Sequence, residues 1–282
     1  MISRRAIERD GWRFVVPGLD TPAAREALIG LALEATAGRG QLVRRTLNAA
    51  TRVVEFADDS GMRCDAFIKV FDSPHGIGAL KRKFRGSRAL HLARIETELN
   101  ANGINAPEVL LVATERIGGR EMVVTRRAEG LLAARHMGPY RESLARKRAV
   151  LHMLGIAVAR MHRAGFVHGD LTPFNVVVAP GAPLRIVFID HERTSRSRSI
   201  RWRPRLRNLV QLGHYDVPGL TNMDRMRVWK SYAAEIGASP AVRRRMLAML
   251  AARVKRDGGL APAHPTPMVT PAKLQEGNAR AS

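Results

Sequence analysis

Cysteine and aromatic residues are scarce in this sequence. Cys64 is the only cysteine among 282 residues, which excludes an internal disulfide and a cluster of thiolate metal ligands. A reducing compartment is the natural location for such a chain. Aromatic residues make up 5% of the total, so few side chains can stack on the bases of single-stranded nucleic acid.

Long apolar runs are also missing. The N-terminal stretch, Met1 to Asp10, contains basic side chains but no apolar core behind them, so we expect no signal peptide. The most apolar stretch, Ala149 to Met161, is too short to span a bilayer and is bounded by Arg148 and Arg163. We therefore expect a cytoplasmic protein whose contact with a membrane is at most peripheral.

Acidic residues are outnumbered by basic ones. The chain has 25 Asp and Glu against 47 Lys and Arg, which gives a net charge of +22. This excess predicts an anionic partner, such as nucleic acid, an anionic membrane surface or a phosphorylated substrate. The length permits a sizeable core in one two-lobed domain or in two small domains.

The stretch from His168 to Glu192 has the pattern of a β-hairpin. Val176 to Ala179 is a short apolar run rich in β-branched residues, Pro180 to Pro183 is a turn, and Leu184 to Ile189 is the return strand. We expect His168 to be a buried structural histidine that forms a hydrogen bond with the backbone of the loop before the hairpin.

Three polar residues flank this hairpin. Asp170 and Asn175 precede it and Asp190 follows it, so we expect their side chains to converge at one end of the ribbon. Phosphoryl transfer needs a carboxylate that accepts a proton from the attacking hydroxyl, and oxygen ligands that hold Mg²⁺ against nucleotide phosphates. In this interpretation Asp170 is the catalytic base, and Asn175 and Asp190 are the metal ligands. The alternative is an ordinary hairpin with acidic residues on its surface.

A lysine on an apolar strand is a further candidate. Lys69 lies in the run Ala66 to Val70, where it should share one face with Phe67 while Ile68 and Val70 share the other. A buried ammonium group needs a partner. The run resembles the V-A-I-K strand of kinases, whose lysine holds nucleotide phosphates. The alternative is a lysine on the solvent face of an edge strand.

The segments before Lys69 predict a small sheet. Leu42 to Leu47, Arg52 to Ala57 and Asp65 to Phe71 are the expected strands. Asn48 to Thr51 joins the first two and contains no glycine. A glycine-rich phosphate-binding loop is therefore absent, and phosphate must be held there by other means.

A long helix is expected from Leu80 to Asn102. In kinases a glutamate on the corresponding helix pairs with the strand lysine. Glu96 lies on the inward apolar stripe and is the candidate partner of Lys69, whereas Glu98 is expected to be a solvated charge. Whether Glu96 makes this pair stays open at the level of the sequence.

The remaining segments complete a mixed α and β chain. The other expected strands are Trp12–Pro17, Val109–Val112 and Glu121–Thr125, the expected hinge is Thr125–Gly130, and the other expected helices are Ala23–Thr36, Arg141–Gly165, Leu209–Leu212, Thr221–Ala234 and Ser239–Lys255. From Gly258 onward the Pro- and Gly-rich chain is expected to be disordered.

The segment after Glu192 is the most basic part of the chain. Its arginines are Arg193, Arg196, Arg198, Arg201, Arg203, Arg205 and Arg207. One interpretation is a solvated loop or a nucleic-acid-binding patch. The other is a docking site for a phosphate-rich substrate beside the transferred group, because guanidinium groups make bidentate contacts with phosphate.

These motifs resemble those of the lipopolysaccharide kinase family, which contains the Kdo and heptose kinases of the Gram-negative envelope. The most specific parts of the resemblance, which runs from about Leu42 to about Lys255, are Phe84–Ala89, Gly103–Pro107, His168–Leu171 with Asn175, Ile189–Thr194 and Asn208–Leu212. The chain departs from the related protein kinases at Gly169, where they carry Arg, and at His191 and Glu192, where they carry Phe-Gly.

The resemblance implies an α+β, two-lobed protein-kinase-like fold, with an antiparallel sheet and one long helix in the N-lobe and a mainly helical C-lobe. The implied domains are an N-terminal addition at residues 1–40, the N-lobe at 41–125, the C-lobe at 126–257 and a disordered tail at 258–282. The implied cofactors are ATP and Mg²⁺. Asp170 would then be the base, Asn175 and Asp190 the metal ligands, and Lys69 the phosphate anchor.

The implied reaction transfers the γ-phosphate to a heptose or Kdo hydroxyl of the lipopolysaccharide inner core. That acceptor is presented at the inner face of the cytoplasmic membrane, to which a basic enzyme is attracted electrostatically. No nucleic-acid partner is expected in this case. Two alternatives are an atypical protein serine/threonine kinase with the same catalytic residues, and a non-catalytic kinase-like module that holds an anionic lipid or nucleic acid.

Overall fold

The structure is a computed structural model that describes residues 6–73, 86–137, 143–213, 215–256 and 261–262. These residues form two compact units. The first comprises the chain up to Arg94 together with Glu108–Arg127, and the second comprises Ile95–Pro107 and the described chain from Ala128 onward. No described helix combines the length and the apolarity needed to cross a membrane.

A seven-stranded sheet dominates the first unit. Its strands are β1 Ile7–Arg9, β2 Trp12–Val15, β3 Gln41–Thr46, β4 Ala49–Ala57, β5 Arg63–Phe71, β6 Val109–Glu115 and β7 Glu121–Arg126. The spatial order is β1-β2-β6-β7-β5-β4-β3, and every neighbouring pair is antiparallel. The strands predicted in this region are therefore confirmed, and β1 was not predicted.

Helices cover both faces of this sheet. Helix α1 (Pro22–Thr36) begins after Thr21, whose hydroxyl accepts a hydrogen bond from the backbone of the first turn. Its apolar side packs in the same cluster as Ile68. The start of helix α2 (Arg88–Ala101) packs on the opposite face, in a cluster that contains Phe71. Successive side chains of a strand point to opposite faces, so β5 contributes to both clusters.

Two expectations about this unit are wrong. The connection predicted at Asn48–Thr51 is shorter, because β4 begins at Ala49 and the turn consists of Leu47 and Asn48. The helix predicted from Leu80 begins at Arg88 instead, since Gly86 has a φ of +74° and Ser87 caps the helix by accepting a hydrogen bond from the Leu90 amide at 3.1 Å. Residues 80–85 of that prediction lie outside the described chain.

The second unit is mainly helical. Its helices are α3 Ala133–Met137, α4 Leu144–Arg163, α5 Trp202–Gly213, α6 Asn222–Glu235 and α7 Pro240–Arg256. Its strands are β8 Leu131–Leu132, β9 Phe166–Val167, β10 Val176–Ala179, β11 Arg185–Phe188, β12 Ser195–Arg196, β13 Tyr215–Asp216 and β14 Ala261–Pro262. They form a three-stranded sheet in the order β11-β10-β8 and the pairs β12-β9 and β13-β14.

Helix α4 lies in the core of this unit. Its buried residues include Leu151, Leu154 and Val158, which recur at helical spacing. Gly155 allows α6 to approach closely, because a Cβ atom there would lie 2.3 Å from the Val228 carbonyl oxygen. The predicted helix from Arg141 is confirmed from Leu144 onward, and residues 141–142 lie outside the described chain.

Two predictions in this unit need correction. Helix α5 begins at Trp202, seven residues before the predicted start at Leu209, because Leu206 joins the buried apolar face and the arginines between these positions occupy other faces. Ala261–Pro262, within the predicted disordered tail, pairs in parallel with β13. The rest of that tail lies outside the described residues, and the predicted domain limits stay predictions.

Candidate active site

The hairpin predicted between Asn175 and Asp190 is confirmed. Strand β10 pairs antiparallel with β11, with Val176 opposite Phe188. The next hydrogen bond along the ribbon runs from the Ile189 amide to the Asn175 carbonyl oxygen at 3.0 Å. Since Asp190 follows Ile189 directly, the hairpin brings the backbones of Asn175 and Asp190 to the same end.

Asp170 is joined to this end through Asn175. The Asn175 Nδ2 atom donates a hydrogen bond to the Asp170 carbonyl oxygen at 2.9 Å. The Thr172 amide donates to the same oxygen at 3.0 Å. With Nδ2 used in this way, Oδ1 is the remaining polar atom of the Asn175 carboxamide and can serve as a metal ligand. The Asp170 carboxylate is only half-buried, so a substrate hydroxyl can reach it.

The backbone of Asp190 adopts a conformation that is rare for a residue with a side chain. Its φ and ψ are +64° and +59°, in the left-handed region. This conformation costs about 1–2 kcal/mol in a non-glycine residue, so the surrounding contacts must enforce it. Asp190 is followed by a short 3-10 turn, His191–Arg193, whose hydrogen bonds supply that constraint.

His191 and Thr194 fix the chain that follows Asp190. Both are buried, and His191 Nε2 lies 2.8 Å from the Phe188 carbonyl oxygen while its Nδ1 lies 3.0 Å from Thr194 Oγ1. Thr194 Oγ1 also lies 3.1 Å from the His168 carbonyl oxygen. Burial, followed by the neighbouring His168, lowers the pKa of His191 to about 3, so the ring is neutral at physiological pH.

His168 is a buried structural histidine, as expected, but its side chain bonds the backbone after the hairpin rather than the loop before it. It is fully buried, and its Nε2 lies 3.0 Å from the Ile189 carbonyl oxygen, the residue before Asp190. Its ring packs against that of His191, with 4.9 Å between centroids. Burial lowers the pKa of His168. Its Nδ1 forms no hydrogen bond with any residue in the described chain, so the histidine is less completely satisfied than expected.

Two side chains of α5 hold the backbone on both sides of Asp170. Asn208 Oδ1 accepts a hydrogen bond from the His168 amide at 3.1 Å. Gln211 Nε2 donates to the Gly169 carbonyl oxygen at 3.0 Å, and its Oε1 accepts from the Leu171 amide at 3.4 Å. Asn208 Nδ2 donates to the same Oε1 at 3.0 Å. These bonds fix the loop independently of the Asp170 side chain.

This network continues into the helical core. His162 of α4 is buried, with Nε2 3.1 Å from Asn208 Oδ1 and Nδ1 2.9 Å from the Tyr232 hydroxyl. Asn208 Oδ1 can only accept, so the His162 proton resides on Nε2 and Tyr232 donates to Nδ1. Burial lowers the pKa of His162 to about 4 and raises the pKa of Tyr232, which keeps both groups in the neutral forms that this arrangement requires.

Gly169, which departs from the protein kinases, is explained by packing. Its φ is +76°, and a Cβ atom would lie 2.3 Å from the Arg193 carbonyl oxygen. Real Cβ atoms do not approach a backbone oxygen so closely, so only glycine fits between the loop that carries Asp170 and the chain after Asp190. Nearby, Ser195 of β12 pairs with Val167 of β9 and brings the same two segments together.

Lys69 occupies a central strand of the first unit. It pairs with Thr51 on β4 and Val123 on β7, so the edge-strand alternative is wrong. The predicted faces are confirmed, since Ile68 is fully buried on the α1 side and Lys69 is half-buried on the other. Its ammonium lies 5.8 Å from the ring centre of Phe71, on the side covered by the start of α2.

The two glutamates of α2 differ in their surroundings. Glu96 is 2% exposed, as its place on the apolar stripe predicts, and its pairing with Lys69 stays a prediction. Glu98 was expected to be solvated, but its carboxylate lies 3.1 Å from Arg196 Nη1 in an ion pair. The sequence could not reveal this pair because its partners are 98 positions apart.

A buried acid that the sequence did not single out anchors α2. Glu121, at the start of β7, accepts hydrogen bonds at one carboxylate oxygen from the amides of Arg88 and Ala89 at 2.7 and 3.1 Å. A carboxylate in this position satisfies amide groups that lack helical partners and complements the helix dipole. It thereby fixes the start of the helix that carries Glu96.

Comparison with known families identifies one that this chain matches. The model of the lipopolysaccharide kinase (Kdo/WaaP) family matches residues 79–232, which is more than half of the chain and includes Asp170, Asn175 and Asp190. The chain belongs to this family. The matched range contains all five segments on which the resemblance in the sequence analysis rests.

A solved structure shares the fold. It is described as WaaP in complex with acyl carrier protein. The similarity covers 87% of this chain and 97% of the WaaP chain, with a TM-score of 0.58 and 21% sequence identity. This similarity confirms the kinase-like α+β fold predicted from the sequence. The family match and the shared fold together make the chain a kinase-like protein.

Curated relatives of this chain are named as subunits of the KEOPS complex. The EKC/KEOPS complex subunit bud32 of Aspergillus fumigatus is 29% identical over 137 residues, 41% of this chain and 50% of the relative. The KEOPS complex subunit Bud32 of Pyrococcus abyssi is 29% identical over 157 residues, 53% of this chain and 65% of the relative. The chain thus spans about half to two thirds of the length of these relatives.

Proposed function

We propose that this protein is an ATP-dependent kinase that transfers the γ-phosphate to a heptose or Kdo hydroxyl of the lipopolysaccharide inner core. The main support for this proposal is that the range matched by the lipopolysaccharide kinase family contains the loop and hairpin that bring together the backbones of Asp170, Asn175 and Asp190. We place it in the cytoplasm, with peripheral contact to the anionic membrane surface, because of its net charge of +22.

The residues present fit Mg²⁺ and ATP. Asn175 Oδ1 and the Asp190 carboxylate are oxygen donors, which Mg²⁺ prefers, and Lys69 supplies a cation for phosphates. Mg²⁺ held by Asn175 and Asp190 would neutralise charge on the nucleotide phosphates.

Asp170 has the part of the catalytic base in this proposal. Its carboxylate orients the acceptor hydroxyl and accepts its proton as the oxygen attacks phosphorus. The hydrogen bonds from Asn208 and Gln211 hold the loop backbone in place, so the carboxylate is preorganised before the acceptor binds. Positioning of this kind supplies much of the rate in phosphoryl transfer.

The test is transfer of labelled phosphate from Mg-ATP to dephosphorylated lipopolysaccharide core, with Asp170→Asn in parallel. Loss of the base should lower kcat by about 10²–10⁴-fold. The thermal midpoint should stay unchanged, because no hydrogen bond of the loop backbone uses this carboxylate. Asp10→Asn, in the exposed β1–β2 turn, is the matched control and should retain full activity.

A second function is supported by the Bud32 relatives, which are named as KEOPS complex subunits. An atypical protein kinase on this fold would use the same Asp170, Asn175, Asp190 and Lys69. Labelling of protein acceptors with no labelling of the sugar core would favour it over the sugar kinase. If Asp170→Asn transfers phosphate as fast as the wild type, the assignment of the base is wrong in both cases.

A further inference from the structure

The surface formed by the segment 193–207 carries a dense positive charge, of which only that of Arg196 is paired with an acid in the described chain. The segment contains seven arginines and no Asp, Glu or Lys. Five of these seven arginines are exposed and form no ion pair within the described chain: Arg193, Arg198, Arg201, Arg203 and Arg207. We call these five residues the arginine face.

The backbone beneath the arginine face is held by the other two arginines. Arg196 pairs with Glu98 at 3.1 Å and stacks on Phe166, with 5.0 Å to the ring centre. Arg205 donates to the Ile200 carbonyl oxygen at 3.2 Å and lies over the Trp202 ring at 5.5 Å. The segment is therefore a fixed scaffold, and its unpaired guanidinium groups are presented on it to solvent.

This scaffold is continuous with the catalytic loop. Strand β12 pairs with β9, the strand directly before His168. Arg193 contacts Gly169, the neighbour of Asp170, through its backbone. Asn208, directly after Arg207, accepts a hydrogen bond from the His168 amide. The arginine face thus begins and ends on residues that touch the loop carrying Asp170.

The chemistry of the face suits planar anions. Arginine donates paired N–H groups in a fork that matches phosphate and carboxylate oxygens, whereas lysine binds them as a point charge. The exclusive use of arginine in this segment favours bidentate contacts over a diffuse positive field. The amino end of α5, at Trp202, adds the positive end of a helix dipole at the same place.

We propose that the arginine face binds the acceptor through phosphate or carboxylate groups on its sugars, so that the ligand class is an anionic saccharide. This inference rests on the proposed function and adds what the acceptor site recognises. Both ends of the segment contact the loop that carries Asp170, which favours the saccharide over a bare membrane surface or nucleic acid, since only the acceptor must lie next to the base.

The test measures binding rather than turnover. The probe is deacylated lipopolysaccharide core oligosaccharide that retains its Kdo carboxylates, titrated into the full-length protein without ATP. Trp202, 41% exposed, reports binding by fluorescence, while Trp12 and Trp229 are buried. Trp202→Phe should remove the signal, and isothermal calorimetry then measures affinity without it.

The decisive variant is Arg201→Ala with Arg203→Ala, compared with Arg244→Ala and Arg245→Ala on exposed positions of α7. Both pairs remove the same charge. We expect the first pair to weaken binding at least about tenfold, because charge-assisted hydrogen bonds are lost. The second pair should stay within about twofold, since it changes only the long-range field.

Several outcomes would overturn the inference. Equal weakening by both pairs would mean that net charge alone drives binding. A neutral oligosaccharide that binds as well as the anionic one would remove the role of the arginines. Tighter binding of duplex RNA or of anionic vesicles through Arg201 and Arg203 would assign the face to those ligands.

A different outcome separates the two proposals. If anionic saccharide binds through these arginines but no phosphate is transferred, the kinase proposal fails while the binding site stands.

Discussion

The β3–β4 hairpin of the first unit and the Asp170 loop of the second are built in contrasting ways. In the hairpin, β3 is exposed along nearly its whole length, and Leu47 at the turn is 97% exposed. In the loop, His168, Leu171 and Asn175 are buried, and side chains of α5 hold the backbone.

The contrast shows where this chain needs a fixed geometry. Asp190 adopts a left-handed backbone conformation, which persists only where surrounding contacts enforce it. The buried hydrogen bonds of His191, Thr194 and Asn208 supply those contacts. The β3–β4 hairpin contains no non-glycine residue in the left-handed conformation. Strand β3 is held mainly by its backbone hydrogen bonds to β4. Four measurements can break or sharpen this comparison.

The largest effect is expected from Gly169→Ala. A positive φ costs about 1–2 kcal/mol in alanine, and forcing a methyl group against the Arg193 carbonyl costs about 1–3 kcal/mol more. Gly61→Ala is the matched control, because its φ of +78° is similar but no atom lies within 4 Å of the added Cβ. Urea unfolding should show a loss roughly twice that of the control. Equal losses would mean that the contact with Arg193 carries no weight.

The next effect is expected from Asn208→Ala. This change leaves the His168 amide and His162 Nε2 without their acceptor inside the core, which should lower the free energy of unfolding by about 3 kcal/mol. Asn48→Ala in the hairpin turn is the control and should cost less than about 0.5 kcal/mol, because its side chain is exposed. Chemical denaturation of both variants decides the matter, and similar values would remove the contrast between the two regions.

A pH dependence of about 2 kcal/mol should come from His162 and His191 together, and His168, whose pKa burial also lowers, adds to it with the same sign. The pKa of His162 is about 4 and that of His191 about 3, whereas both lie near 6.5 in the unfolded chain. Between pH 7 and pH 5.5 only the unfolded chain takes up protons at these positions, so stability falls by about 1 kcal/mol per histidine.

The range from pH 7 to pH 5.5 separates the contribution of the histidines to stability from that of the acids. Hydrogen bonds lower the pKa of Asp58 and, against the opposing effect of burial, that of Asp224 to about 2, so both acids contribute their change below pH 4. Urea unfolding at pH 7 and pH 5.5 tests the histidines alone. A constant free energy of unfolding across this range would show that the loop network does not hold them neutral.

The smallest effect is expected from Leu47→Ser in the hairpin. With 97% of its surface exposed, Leu47 buries almost nothing on folding, so the free energy of unfolding should change by less than about 0.5 kcal/mol. Thermal unfolding monitored by circular dichroism is sufficient for this test. A loss above about 1 kcal/mol would mean that the hairpin is more tightly packed than its exposure indicates.

Local patterns explain what could be predicted. The β10–β11 hairpin follows from a β-branched run and a Pro-Gly turn, and the alternation around Lys69 follows from strand geometry. Helix α5 was predicted too short, because its arginines obscure the apolar spacing that starts before Leu209. The ion pair of Glu98 with Arg196 was missed because nothing local indicates it.

The sequence by itself determined the family, the fold class and the order of Asp170, Asn175 and Asp190, since motifs and periodicity are properties of neighbouring positions. Only the tertiary structure decided that Asn208 and Gln211 hold the loop and that no side chain fits at Gly169. These contacts join residues some 24 to 42 positions apart, through hydrogen bonds and close packing that form only when the chain is folded.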